Sequence, residues 1–229
     1  MTAIASHAIL IAAGGKSTRF GGNKLLAEFR GMPLICHCLK NFDAPGRRFV
    51  LAVPTETTAE FADIFNTYMP GFKGIISFAA NGASRAESIA NAFDFLVAQP
   101  DPPEFVSIHD AARPLASEEL LLRCLDAARE CGAAIAAHRT TDTIHVADDR
   151  GEILETPSRA TLWAAETPQV FRTSLYGRAL RELDWRKNPP TDDAQLVRQL
   201  PGTRIRLVEN TSPNPKITFK HDLGTCEKS

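Results

Sequence analysis

Six short, predominantly apolar runs, at 8–13, 49–53, 74–78, 105–109, 133–138 and 204–208, alternate along the chain with stretches of helical periodicity. A strand that is apolar at consecutive positions needs cover on both faces. Strands of that kind joined through helices form a mostly parallel sheet with helices above and below. The helical stretches fall at 33–42, 59–68, 85–97, 118–131, 174–183 and 192–200. The third opens on a capping box, Ser84-Arg85-Ala86-Glu87, and carries Ile89, Phe93 and Leu96 on one face. The fourth follows Pro114 and Ser117 and stops at Gly132, a residue suited to the left-handed position past a helix end. There is no internal repeat, low-complexity tract or long linker, so the expectation is one doubly wound α/β domain over 1–229.

One segment breaks the alternation. Residues 139–160 carry β-type residues on both sides of Asp148-Asp149-Arg150-Gly151, a hairpin signature with Gly151 placed for a positive φ. Its apolar residues are only Ile144, Val146, Ile153 and Leu154. A two-stranded ribbon is not stable alone in water, so it must pack either on its own domain or on a second subunit.

Composition narrows the partners. Lys and Arg total 26 against 27 Asp and Glu, a net charge of -1 that argues against a nucleic-acid surface while leaving room for a local basic pocket. At 44% hydrophobic the chain can bury a real core. The five cysteines, at 36, 38, 124, 131 and 226, are odd in number and scattered, unlike a disulfide framework. Cys36-His37-Cys38 lacks a second ligand pair at zinc spacing and falls in a helical stretch, so these residues read as packing. The apolar run 8–13 is too short for a signal sequence or a membrane span. A reduced, cytoplasmic protein with no membrane partner is expected.

The first strand runs directly into Ala12-Ala13-Gly14-Gly15-Lys16-Ser17-Thr18-Arg19-Phe20-Gly21-Gly22-Asn23-Lys24. Small residues admit a ligand close to the backbone, and successive free N–H groups form an anion nest. Arg19 and Lys24 can then neutralise a polyphosphate. The alternative is an ordinary glycine turn. Gly15-Lys16-Ser17 is not a Walker A ending, because Leu10 stands where that motif needs its first glycine, and a dinucleotide G-x-G-x-x-G is also absent. The fourth strand ends in His109-Asp110-Ala111-Ala112-Arg113-Pro114, which puts a carboxylate where open α/β sheets bind ligands. Asp110 can hold Mg²⁺, accept hydrogen bonds from substrate hydroxyls, or form a structural pair with Arg113. His109 reads as a satisfied core histidine. Three later clusters, Arg159 through Thr167-Pro168-Gln169, Thr191-Asp192-Asp193 and Asn214-Pro215-Lys216-Ile217-Thr218, are polar and phosphate-friendly. Taken singly they read as caps, turns or surface charges, with Thr191 a candidate helix N-cap.

Together these landmarks, in this order and over nearly the whole chain, resemble the 2-C-methyl-D-erythritol 4-phosphate cytidylyltransferases. The resemblance implies a Rossmann-like nucleotidyltransferase fold and a homodimer joined by the β-arm. It implies transfer of a cytidylyl group from CTP to methylerythritol phosphate, releasing pyrophosphate, with Mg²⁺ held mainly by phosphates. Arg19, Lys24 and Lys216 match the family's catalytic cations. Ala12, Ala13, Gly14, Gly15, Gly82 and Ser88 match its nucleotide-binding positions. Asp110, Arg113, Thr167 and Thr191 match positions near the erythritol hydroxyls, while Thr143 and Arg159 match residues that reach into the neighbouring subunit's site. The chain departs from the usual pattern at Ser17, at Asn23 where proline is frequent, and at Ala83 where an acidic residue is common. Two competing expectations are a ribitol-5-phosphate cytidylyltransferase and a nucleotide-binding homologue without catalysis.

Overall fold

The computed structural model describes residues 6–15 and 20–227. In chain order its strands and helices are β1 (His7–Ala12), β2 (Glu28–Phe29), β3 (Met32–Pro33), α1 (Leu34–Lys40), β4 (Arg48–Val53), α2 (Thr58–Tyr68), β5 (Ile75–Ala80), α3 (Arg85–Val97) and β6 (Phe105–Asp110). There follow α4 (Glu118–Cys131), β7 (Ala133–Arg139), β8 (Val146–Ala147), β9 (Ile153–Glu155), β10 (Trp163–Arg172), α5 (Thr173–Glu182), α6 (Asp193–Arg198), β11 (Arg206–Glu209) and α7 (His221–Glu227).

Seven strands form the main sheet in the order β11-β7-β10-β6-β1-β4-β5. Alternate side chains explain the two-sided cover. Ile9 and Ile11 of β1 enter a core with α1, α2 and α4, while Ala8 and Leu10 enter another with α3, α5 and α6. All four are fully buried, which is why the run carries no polar residue. The expected caps form as well. Ser84 Oγ accepts from Glu87 N, Ser117 Oγ accepts from Leu120 N, and Gly132 takes φ +90°.

The sheet is parallel except at β10, which lies antiparallel between β6 and β7. The sequence pattern does not mark 163–172 as a strand, and Pro168 within it cannot donate to a ladder. The structure resolves this with a register shift between Ala165 and Gln169, so the proline sits in the irregularity and no regular pairing is lost there. Thr191 is not the N-cap of α6. Asp192 is, its carboxylate accepting from Gln195 N at 2.8 Å, because its extended backbone (ψ 173°) directs the shorter reach to the third residue on. The hairpin around Gly151 (φ +82°) is present but short, with β8 and β9 paired antiparallel. Asp148 Oδ1 closes its turn by accepting from Arg150 N and Glu152 N. Ile153 and Leu154 are 61% and 68% exposed, so the ribbon does not bury these side chains against its own chain. Cys36 and Cys38 are fully buried packing residues, and the five cysteines are unpaired. Among the described residues no helix is long and apolar enough to cross a membrane.

Candidate active site

The chain passes from β1 to β4 and β5 on one side of the sheet, then returns to β6 on the other side of β1. Crevices for ligands open at such reversals, beyond the carboxyl ends of the strands. Ala12 and Asp110 are register partners at those two ends, so the glycine-rich segment and the HDAARP segment leave the sheet side by side.

The larger of two adjoining clefts has a volume of about 620 Å³, and Ala12, Gly14, Gly15, Lys24, Gly82 and Ser88 all line it. Gly82 N donates to Ser88 Oγ at 3.0 Å, and that hydroxyl donates to Ser84 O at 2.8 Å, which pins the loop onto α3. Ala13 is placed differently. Its side chain is buried and its N–H is taken by Ala52 O at 3.0 Å, so it supports the loop from behind. Lys24 opens a single 3₁₀ turn capped by Asn23, whose Oδ1 accepts from Leu25 N. The polar residue at 23 thus supplies a cap that a proline lacks. Lys24 Nζ donates to Ile217 O at 3.0 Å, and Ile217 N donates to Ala112 O at 2.9 Å. Arg19 lies outside the described residues.

The smaller cleft, about 240 Å³, is lined by Asp110, Arg113, Thr167 and Thr191, the acceptor set of the sequence reading, together with Glu166 and Asp192. Arg85, Asp110 and Lys216 belong to both clefts and form the wall between them. Asp110 Oδ1 is 3.0 Å from Arg85 Nε, and its Oδ2 is 2.8 Å from Lys216 Nζ and 3.8 Å from Arg113 Nε. Burial alone would raise the Asp110 carboxyl, but Arg85 and Lys216 outweigh it and hold the group well below the usual carboxylate range. The aspartate is therefore an anion around which cations from three separate segments gather. The pair with Arg113 exists, but at the longest of these distances.

Thr167 lines the smaller cleft with its hydroxyl already committed. It accepts from Asp110 N at 3.1 Å and donates to His109 Nδ1 at 2.9 Å. That leaves His109 as the Nε2–H tautomer, facing Arg113 O at 3.3 Å. Burial lowers the His109 pKa to about 4, which agrees with a neutral core imidazole. Thr191 N and Oγ1 both donate to Gln195 Oε1. Thr143 and Arg159 line neither cleft. Arg159 instead donates to Thr141 O at 2.8 Å within the arm, so one chain alone does not bring them to the site.

Two participants escaped the sequence reading. Glu166, buried, accepts from Asn210 Nδ2 and Asn214 Nδ2, each at 2.8 Å, and pairs with His138 Nδ1 at 2.6 Å. It thereby ties the segment preceding Lys216 to β10. Arg85 is legible in sequence as part of a capping box and of a family landmark, Ser84-Arg85 with Ser88, but without a site role, although a cation in the first turn opposes the helix dipole and is itself a signal.

A doubly wound sheet with a glycine-lined crevice at its switch point, flanked by lysines and an ion-paired aspartate, is the arrangement a nucleotidyltransferase needs. Comparison with known proteins specifies which kind. The family model for 2-C-methyl-D-erythritol 4-phosphate cytidylyltransferase matches residues 6–228. The chain belongs to that family. It is 39% identical over 225 residues to the protein of that name from Geobacillus thermodenitrificans, covering 96% of this chain and 95% of the relative. The Bacillus licheniformis protein of the same name is 34% identical over 226 residues, covering 97% and 94%. The crystal structure of the Thermus thermophilus 2-C-methyl-D-erythritol 4-phosphate cytidylyltransferase superposes with a TM-score of 0.71 at 28% identity, covering 96% of this chain and 97% of that one.

Proposed function

We propose that the protein joins CTP and 2-C-methyl-D-erythritol 4-phosphate to give CDP-methylerythritol and pyrophosphate, in the supply of isoprenoid precursors. The observation that carries this reading is the pair of clefts meeting at one wall. The larger, glycine-lined cleft suits a nucleotide and the smaller, polar one suits a short polyol phosphate. An oxygen of the acceptor phosphate attacks the α-phosphorus of CTP. The new P–O bond forms as the bond to the bridging oxygen breaks, and pyrophosphate leaves with the electron pair. A phosphate monoester is already a nucleophile, so positioning and charge neutralisation supply the catalysis. Lys216, at the wall, serves the α-phosphoryl group, while Lys24 and Arg19 serve the triphosphate on the nucleotide side.

Both Asp110 oxygens face cations, Arg85 and Lys216, and among the described residues there is no cluster of three or more potential metal ligands. Mg²⁺ would therefore be held mainly by the phosphates of CTP, where it would supply neutralisation of phosphate charge. Thr143 and Arg159 complete the acceptor site of a second subunit in a homodimer built through the arm. Their position outside their own chain's clefts and the exposed Ile153 and Leu154 support this. Five unpaired cysteines support a cytoplasmic setting.

Pyrophosphate release with CTP and Mg²⁺ tests the reading, using methylerythritol phosphate, ribitol 5-phosphate and no acceptor in parallel. Turnover confined to methylerythritol phosphate is expected. Release with ribitol phosphate alone would replace the acceptor, and CTP binding with no release from any acceptor would make the chain a non-catalytic homologue.

A further inference from the structure

Arg85 is the first residue of α3, directly after the Ser84 cap. A cation there faces the positive end of the helix dipole, so the position weakens α3. Two carboxylates from different elements hold the side chain in place. Its Nε is 3.0 Å from Asp110 Oδ1 at the end of β6, and its Nη1 is 2.7 Å from Asp193 Oδ2 in the first turn of α6. Asp193 is buried, and its other oxygen accepts from the Tyr176 hydroxyl at 2.7 Å. Tyr176 is buried in turn, its ring centroid 5.2 Å from that of Phe93 on α3 and 5.4 Å from that of Phe171 on β10. A continuous set of contacts therefore starts in the hydrophobic core and ends on the carboxylate that holds Lys216.

The geometry points to a cross-brace of Arg85, Asp193 and Tyr176 that fixes the two clefts relative to each other and aims Lys216, which makes Arg85 a positioning residue for the transfer. The inference rests on the cytidylyltransferase reading for what is being positioned. Three element ends meet at this guanidinium. The start of α3 follows Gly82 of the nucleotide cleft, and the start of α6 follows Thr191 of the acceptor cleft. The end of β6 lies between them. A planar guanidinium holds two carboxylates on different elements in a fixed relative geometry, whereas a lysine ammonium is a point charge on a flexible stem. In-line attack needs reacting atoms about 3–3.5 Å apart, and a misplacement of about 1 Å can cost on the order of 10²-fold. A brace between the cleft that holds the nucleophile and the cleft that holds the α-phosphorus acts on that distance.

The test begins with wild-type turnover, which decides the cytidylyltransferase reading by itself. Variants are then compared by kcat, by KM for each substrate, by CTP Kd from calorimetry without acceptor, and by amide exchange. Arg85→Gln and Arg85→Lys should lower kcat by roughly 10- to 10²-fold, beyond any change in the CTP Kd. Asp193→Asn and the gentler Tyr176→Phe line neither cleft. Both should shift kcat in the same direction, Tyr176→Phe by about three- to tenfold. Arg85→Gln combined with Asp193→Asn should be no slower than Arg85→Gln alone, because members of one brace act as a unit.

The split between kcat and the KM for each substrate separates aiming from general structural support. Amide exchange gives a readout that needs no turnover. In Arg85→Gln the first turn of α6, over a hundred residues away in sequence, should exchange about tenfold faster or more. Wild-type exchange there would overturn the brace whatever the kinetics show. So would a kcat equal to wild type, a loss confined to CTP Kd, or single losses that multiply in the double variant.

Discussion

Gly14 and Gly82 are glycines for reasons of space. Neither has a positive φ, yet a Cβ on Gly14 would run into Asn81, and one on Gly82 would come within 2.5 Å of Glu87 Cβ. Glu87 cannot easily yield, since its backbone is tied to the Ser84 cap and its carboxylate accepts from Ala83 N at 2.8 Å. Gly82→Ala should therefore push the loop off α3, costing about 1–3 kcal/mol of stability by overpacking. It should weaken CTP at least about tenfold, since roughly 1.4 kcal/mol of lost contact suffices for that. Urea unfolding and calorimetric titration check the two effects separately, and an unchanged CTP Kd would remove Gly82 from the nucleotide site. Asp110 was legible in sequence because it closes an apolar strand, and Lys216 was legible through the family resemblance of Asn214-Pro215-Lys216-Ile217-Thr218. The role of Arg85 was not, because its two carboxylate partners lie 25 and 108 positions away and no local pattern announces them.

Among the elements, the ribbon of β8 and β9 stands apart in keeping its apolar side chains in solvent, with Ile144, Val146, Ile153 and Leu154 all more than 40% exposed. The proposed dimer covers them. Ile153→Asn with Leu154→Asn should shift sedimentation toward the monomer and raise the KM for the acceptor, with CTP affinity unchanged. Wild type that sediments as a monomer at working concentration would remove the second subunit from the site. The hairpin turn was readable from Asp148 to Gly151, since a single glycine at φ +82° and an Asp side chain closing the turn are local chemistry. Strand β10 was not readable. Its sequence includes Thr167-Pro168, and its pairing depends on partners 61–67 residues earlier in β6 and 24–38 residues earlier in β7.

At the scale of the whole molecule, the site stands on a neutral buried histidine. The His109 pKa is lowered to about 4 from an ordinary 6.5, so between those values the unfolded chain takes up a proton that the folded one refuses. Stability should then fall as pH falls from 6.5 toward 4, with His7 and His37, also lowered by burial, acting in the same direction. His109→Gln should reduce the slope of unfolding free energy against pH in that window by up to one proton, about 1.4 kcal/mol per pH unit. Urea midpoints measured across the window check this, and an unaltered slope would mean that His109 is protonated in the folded protein.

The sequence by itself determined the layered α/β plan. Runs such as 8–13 carry apolar side chains toward both faces, and the caps at Ser84, Ser117 and Gly132 are set by residues within a few positions of one another. It also marked the glycine-rich segment and the aspartate that follow two of the strands, because strand ends are where such sheets open. Only the tertiary structure decided that β10 would run antiparallel through the middle of the sheet. It alone decided that Arg85 would join Asp110 to Asp193, and that Glu166 would gather Asn210 and Asn214. Those outcomes depend on which buried charges and open strand edges meet when distant segments pack. A buried polar group must take whatever partner the fold brings to it, and neighbours in sequence do not encode that partner.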